Sequence, residues 1–153
     1  MNASLIAVIA DTHDKLPEAM LADLSRANEI WHLGDVKDPA ILGRLREIGV
    51  PVFVVRGNRD TGAAGEEWPM EVTLTRGGRT FRLIHMPPAP GKLGEVDFLL
   101  HGHTHVPRDE VVAAVRVLNP GTVGKPNQGV RPGYAWLEVS AEGEVEWRLV
   151  ALG

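Results

Sequence analysis

The side chains in this chain that can bind a cation or move a proton are gathered into a few short stretches. His101, His103 and His105 fall within HGHTHVP, so three of the six histidines occupy five positions. Asp11 and His13 flank a threonine in DTH, Asp35 follows Gly34, Asn58 follows Gly57, and His85 closes an apolar run. Together Asp11, His13, Asp35, Asn58, His85, His103 and His105 supply seven oxygen and nitrogen donors. That is too many for one tetrahedral ion and suits two ions that share a carboxylate. Two cations about 3.5–4 Å apart can clamp both the attacking and the leaving oxygen of a phosphoryl displacement. An extended His-x-His pair places its Cα atoms about 6.5 Å apart on one side, so its rings could serve neighbouring ions. Mixed His, Asp and Asn donors suit Mn, Fe, Zn or Ni better than Mg or Ca, which favour all-oxygen shells. Taken singly, GD and GN are ordinary turn dipeptides, DTH fits an Asx turn and GHTH fits a surface loop. Their joint order is what points to a site.

Such a site needs elements that end together. Residues 4–10 (SLIAVIA) form a continuous apolar run that stops at Asp11, as a buried strand feeding a loop does. Helical spacing follows over 17–27, behind Pro17, and a second strand is predicted at 29–33 (EIWHL). Asp38 as N-cap, Pro39 in the first turn and Gly49 as terminator frame a helix over 38–49, and PVFVVR at 51–56 reads as a third strand. In open α/β sheets ligands bind beyond the carboxyl ends of parallel strands, which is where Asp11, His13, Asp35, Asn58 and Asp60 fall. The second half is β-rich. Strands are predicted at 70–76 and 79–85 around Gly77-Gly78, and at 96–101, 110–121, 133–140 and 144–152, the last two joined by a hairpin at 141–143.

Composition narrows the class. The 153 residues, 44% apolar and 24% charged, are those of a globular chain of one domain's length. A net charge of −4 argues against a protein built to grip a long phosphate backbone, so long nucleic acid is an unexpected partner. Without cysteine there are no disulfides, thiolate nucleophiles or cysteine-ligated zinc. No basic leader opens the chain and no run approaches the roughly 20 apolar residues of a membrane span, so the expected location is the cytoplasm, off the membrane.

The series DTH, GDVKD, GNRD, His85, GHTHVP and NPGT runs from Ile6 to the NPGTVGKP stretch at 119–126. It resembles the signature series of the calcineurin-like metallophosphoesterases, and most of all their short prokaryotic phosphodiesterase branch. The resemblance implies an α/β fold: a four-layer α/β/β/α sandwich of two facing mixed sheets flanked by helices, in a single domain over 1–153. It implies two divalent transition metal ions, Mn first and Fe, Zn or Ni as alternatives. Asp11, His13 and His105 would hold one, Asn58, His85 and His103 the other, and Asp35 would bridge them. A hydroxide between the metals would be the nucleophile, since coordination lowers the pKa of water toward neutrality. The implied activity is a phosphoesterase, foremost a phosphodiesterase acting on a small phosphate ester.

Two departures from the family pattern stand out. Many members carry histidine after the Gly-Asn pair as a proton donor; this chain has Arg59, which cannot act as a general acid. Arg59 is therefore assigned to substrate contact, and Asp60 to orienting His85, His103 or Arg59. Where the short branch has His-Gly, this chain reads HMPPAP from His85, which must reshape the adjacent wall. The plainer readings belong to His32, a packed strand histidine, to His101, outside the ligand register, and to Trp31, Trp68, Trp136 and Trp147, core or interface residues rather than a base-stacking platform. Lys125 in GKPN lacks the glycine run and helix of a phosphate loop. The rival to an enzyme is an interaction scaffold of the same fold that binds metal but catalyses weakly, a use for which the superfamily's retromer subunit is the precedent. The apolar C-terminal strands could pack a homodimer or simply close the sandwich.

Overall fold

The computed structural model describes residues 3–124 and 129–152; Lys125 lies outside the described residues. The first half alternates as its periodicity predicts: β1 (Ser4–Ile9), α1 (Glu18–Leu24), β2 (Glu29–His32), α2 (Pro39–Arg46) and β3 (Val52–Val54). The capping of α2 is as read from sequence, with the Asp38 side chain accepting from the Ala40 N–H at 3.0 Å and Pro39 opening the first turn. β1, β2 and β3 pair in parallel, and the antiparallel strands β9 (Gly133–Val139) and β10 (Val145–Ala151) complete a sheet of order β10-β9-β1-β2-β3.

After the short α3 (Ala63–Glu66), the second sheet is built from β4 (Glu71–Arg76), β5 (Arg79–Ile84), β6 (Phe98–Leu100), β7 (Arg108–Val112) and β8 (Val115–Asn119). Its order is β4-β5-β6-β8-β7, with β5, β6 and β8 parallel and the outer strands antiparallel. The stretch 110–121, read from sequence as one strand, is corrected here. It is the end of β7, a two-residue turn at Ala113-Ala114, and β8, with Val112 paired to Val115. Both alanines take left-handed backbone (φ 50° and 68°), a conformation that Asn-Gly normally signals in a tight hairpin and alanine does not.

The alternation of β1 sends its side chains into two cores. Ile6 and Val8 join Trp31 and Leu33 against Phe81, Leu83, Leu100 and Leu118 between the sheets. Ala7 and Ile9 join Ile30 against Met20, Leu24, Ile41, Leu42 and Leu45 of the helices. Phe81 stacks on Phe98 at 4.7 Å and meets the Trp31 ring edge-on at 5.5 Å, so truncating it to alanine is expected to cost about 3–5 kcal/mol. The facing mixed sheets are those of the predicted sandwich, but the fourth layer is thin. Leu99, Val115 and Val117 are covered by Leu93 and Val96 from a segment with a 3-10 turn at Pro90–Lys92. Prolines 87, 88 and 90 leave that segment unable to form a continuous helix.

Register aligns the strand ends. Ile9 pairs with His32 and His32 with Val54, while Leu83 pairs with Leu100 and Leu100 with Leu118. The polar loops that follow therefore leave both sheets at one end of the sandwich.

Candidate metal centre

Three of those loops share a backbone pattern. Asp11 and His13 (φ 53° and 52°), Asp35 and Lys37 (59° and 66°), and His103 and His105 (71° and 64°) are left-handed, each pair separated by one residue. That region costs a non-glycine residue roughly 1–2 kcal/mol and persists where the surroundings over-determine it, as they do at functional sites. Here the surroundings are the loops themselves. The Asp11 N–H donates to the Gly34 carbonyl (3.0 Å), His13 N–H to the Asp35 carbonyl (3.1 Å), and Gly124 N–H and the Thr122 hydroxyl both to the Asp11 carbonyl (3.0 and 3.1 Å). The extended geometry expected for His103-x-His105 is thus not adopted, because β6 ends at Leu100 and the loop coils. The two rings still part company: His103 lies edge-on to His85 (5.2 Å between centroids) and His105 edge-on to His13 (5.8 Å).

Asp11, His13, Asp35 and His105 form the first group, with one ligand-type atom from each lying within 4.8 Å of the others. Asp11 is fully buried. Its Oδ2 accepts from the His103 N–H (3.2 Å), while Oδ1 has no hydrogen bond and stands 3.4 Å from His105 Nε2. Burial above all, with His85 opposing and the Asp35 carboxylate reinforcing, pushes the Asp11 carboxyl up to about 7. A buried carboxylate oxygen without a donor, aimed at two imidazoles and a second carboxylate, fits a divalent cation.

Asn58, His85 and His103 form the second group. Asn58 Oδ1 lies 2.9 Å from His85 Nε2 and 3.2 Å from His103 Nδ1. His85 Nδ1–H donates to the Leu33 carbonyl (2.8 Å), which fixes the ring and turns Nε2 toward Asn58 and Asp35, the latter at 3.3 Å. Burial opposes a charge on His85, but the Asp35 and Asp11 carboxylates outweigh it and hold its pKa above the ordinary value. The contact between His85 Nε2 and Asn58 Oδ1 occupies a place a cation could take. Asp35 brings its carboxylate to both groups, and Asp11 meets the second through the His103 N–H. Burial works against the charge on Asp35, yet His85 and the Arg59 N–H on Oδ1 (2.7 Å) hold its pKa below the usual range. Glycine is required before each turn by space, and at Gly34 also by a φ of 100°. A Cβ on Gly57 would lie 2.3 Å from Asp35 N and Oδ1, and one on Gly34 would lie 2.7 Å from His85 Nδ1.

Of two further residues predicted to act on the chemistry, Arg59 stays free for a substrate contact and Asp60 sits differently. Arg59 reaches Asp35 through its backbone N–H, and its side chain is exposed. Asp60 does not orient His85, His103 or the Arg59 guanidinium. Its buried carboxylate accepts from three backbone N–H groups, those of Asp35 (2.9 Å), Gly57 (2.8 Å) and Lys37 (2.9 Å), and so ties the GD and GN loops together.

Of the supports beneath, sequence reasoning read His32 and His101 as packed residues, as they are, and missed Thr12 and Asn119. Thr12, the middle of DTH, is buried with its hydroxyl 3.0 Å from His32 Nε2. His32 Nδ1 accepts from the Gly34 N–H (3.1 Å), so Nε2 carries the proton and donates to Thr12, whose hydroxyl reaches the Val36 carbonyl at 3.4 Å. Burial pushes His32 down to about 3 and keeps it neutral. His101 is likewise held neutral by burial, at about 4, donating Nδ1–H to the Gly102 carbonyl and accepting from Arg108. Asn119 of the NPGT motif donates to the Gly102 carbonyl and Thr104, and accepts from the Gly121 N–H, bracing the GHTH loop. The signal for these was the motif residues lying between the ligands.

Comparison with known proteins places this geometry in a class. Residues 5–142 match the model of the calcineurin-like phosphoesterase superfamily domain, and the chain belongs to that superfamily. Among curated proteins, a probable metallophosphoesterase of Methanocaldococcus jannaschii is 29% identical, over 97% of this chain and 81% of its own length. Among solved structures, a novel archaeal phosphodiesterase superposes with a TM-score of 0.81 at 22% identity, covering 97% of this chain and 99% of its own. Vps29 of Entamoeba histolytica complexed with zinc superposes with a TM-score of 0.75 at 21% identity, covering 96% and 98%. These two structural likenesses concern the fold.

Proposed function

We propose that the chain is a dinuclear metal-dependent phosphodiesterase acting on small phosphodiesters, its domain spanning 1–153. The observation that carries this reading is Asp35, whose carboxylate belongs to the four-residue group with Asp11, His13 and His105 and also stands 3.3 Å from His85 of the other group. Asp11, His13 and His105 would hold one divalent cation and Asn58, His85 and His103 the other, with Asp35 shared. When bound, the two cations would lower the pKa of water to supply a nucleophile near neutral pH and would neutralise charge on the phosphoryl oxygens. The chain's own contribution is to hold the donors in place before substrate arrives, through the Asp60 ties, the Leu33 carbonyl on His85 and the His32–Thr12 link. Exposed Arg59 is assigned to a phosphoryl oxygen, as a donor that keeps its proton. With no histidine at that position, esters of good leaving groups should be hydrolysed fastest. Mn is the expected metal, with Fe, Zn or Ni as alternatives, and the expected setting is cytoplasmic. No helix among the described residues is long and apolar enough to cross a membrane.

The test is elemental analysis of the purified protein together with turnover of bis-p-nitrophenyl phosphate. Two cations per chain and loss of turnover in Asp35→Asn are expected; retained turnover in that variant would sink the mechanism. A second reading, a weakly catalytic scaffold, draws support from the zinc-bound Vps29 that shares the fold and from Arg59 in place of a histidine. It predicts cation binding with no turnover of any phosphodiester or monoester.

A further inference from the structure

Beside the second group of donors lies a cavity of about 400 Å³, within the range of small-molecule pockets. Asn58 and His85 line it on the metal side, and Met70, Ile84, Met86 and Arg56 form its other walls. Met70 is 63% exposed and Met86 51% exposed, so two large apolar side chains stand in water at a concave surface that also touches two of the proposed ligands. They come from adjoining strand ends: Glu71 pairs with Ile84, so Met70 leads into β4 beside the point where β5 runs out into His85 and Met86. Nothing in the mechanism above uses either methionine. A lone exposed apolar residue is ordinary, but a pair facing one cavity next to reacting groups is a binding wall.

We propose that this cleft holds a flat aromatic ring carried on one ester group of the substrate, which makes the protein selective for ring-bearing phosphodiesters over small alkyl ones. The inference rests on the phosphodiesterase reading and adds the substrate class. Thioethers pack well against aromatic rings, and a guanidinium stacks on their faces. Arg56 has its N–H on the Pro69 carbonyl at 2.8 Å and its Nε–H on the Asp60 carbonyl at 3.4 Å, so the side chain is held from the loop that carries Asn58. A phosphodiester whose phosphorus sits at the donors would reach the cleft with the substituent on the Asn58 and His85 side, because those two residues border both spaces. A short alkyl group would leave the methionines in water.

The experiment compares three diesters with one leaving group: methyl, phenyl and thymidine-5′ p-nitrophenyl phosphate, with the metal-loaded full chain. The phenyl ester is expected to exceed the methyl ester in kcat/KM by about tenfold or more. In Met70→Ser/Met86→Ser the ratio is expected to fall to within about threefold; being a ratio, it does not depend on how much of the variant is folded. A thymidine ester as fast as the phenyl one would extend the class to nucleobases, and a slow one would confine it to simple aryl esters. The second readout needs no turnover. In zinc-loaded protein with 13C-labelled methionine methyls, phenylphosphonate should shift the Met70 and Met86 signals and leave buried Met20 in place, and methylphosphonate should not shift them. Shifts without hydrolysis of any diester would support the cleft and overturn the phosphodiesterase reading. Hydrolysis with no preference for the ring and no methionine shift would overturn the cleft and leave that reading standing.

Discussion

The two groups of donors at the end of the sandwich are built on different terms. Asp11, His13, Asp35 and His105 all carry left-handed backbone, and Asp11 Oδ1 is buried without a hydrogen bond. Asn58 and His85 have ordinary backbone, and with His103 they are joined by hydrogen-bond distances of 2.9 and 3.2 Å. The first group is thus pre-shaped at a cost and incomplete by itself; the second is partly satisfied by its own members and by the Leu33 carbonyl. The difference teaches that two sites of the same chemistry need not have the same affinity. A cation at the first would relieve an orphaned carboxylate oxygen, whereas one at the second would have to displace contacts already made.

Breaking the comparison outright means removing the residue common to both groups. Asp35→Asn is expected to lower kcat for bis-p-nitrophenyl phosphate by on the order of 10³-fold, with cation content falling at both sites by elemental analysis. Next in size is Asp60→Asn, which loosens the three N–H ties beneath the loops. A 10–100-fold weaker cation affinity by calorimetry is expected, about the cost of disturbing the groups that orient ligands. Asn58→Ala separates the groups: it should reduce tight uptake from two cations to one per chain while the first binds within about threefold of its original affinity. Equal loss at both sites would show that the groups act as one.

His32 sharpens the contrast through pH. Its folded pKa of about 3 lies below the unfolded value near 6.5, so the folded state refuses a proton that the unfolded chain takes up. The stability this contributes is complete above pH 6.5 and is lost as pH falls toward 3. The His32 share by pH 5 is roughly 2 kcal/mol, read as the difference in pH dependence between the parent chain and a His32 variant in urea unfolding with chelator, since His101 and Asp11 titrate in the same window. His32→Gln, which cannot titrate, should flatten that slope even if its plateau is lower. The smallest effect is expected at Arg59. Arg59→Ala should raise KM a few-fold with kcat changed less, since its exposed side chain is replaced while the backbone N–H on Asp35 stays.

Much of this was legible in the sequence because burial on both faces leaves a plain mark. The apolar runs 4–10, 29–33 and 51–56 became parallel strands, and the polar residue after each became part of the cluster. The helix over 38–49 was legible from its cap, though its last turn is ragged and α2 ends at Arg46. The β7–β8 hairpin was not legible, since Ala113-Ala114 lacks the glycine or asparagine that betrays a tight turn, and tertiary pairing imposes the conformation. Nor was the job of Asp60: a carboxylate next to a ligand motif looks chemical, and only the fold shows that it faces backbone amides. The left-handed backbone of the candidate ligands was not legible either, because the mild preference of Asp and His for that region is too weak to single out positions, and the loop hydrogen bonds decide it.

Those left-handed positions carry an evolutionary consequence. At Ala113 and Ala114, drift to glycine or asparagine is downhill, worth on the order of 1 kcal/mol, and nothing chemical opposes it. At Asp11, His13, Asp35, His103 and His105 drift to glycine would also relax the backbone, while erasing the candidate donors. Selection for stability alone would therefore dismantle this site first, so a lineage that stopped needing the chemistry should lose these residues early and keep the sandwich.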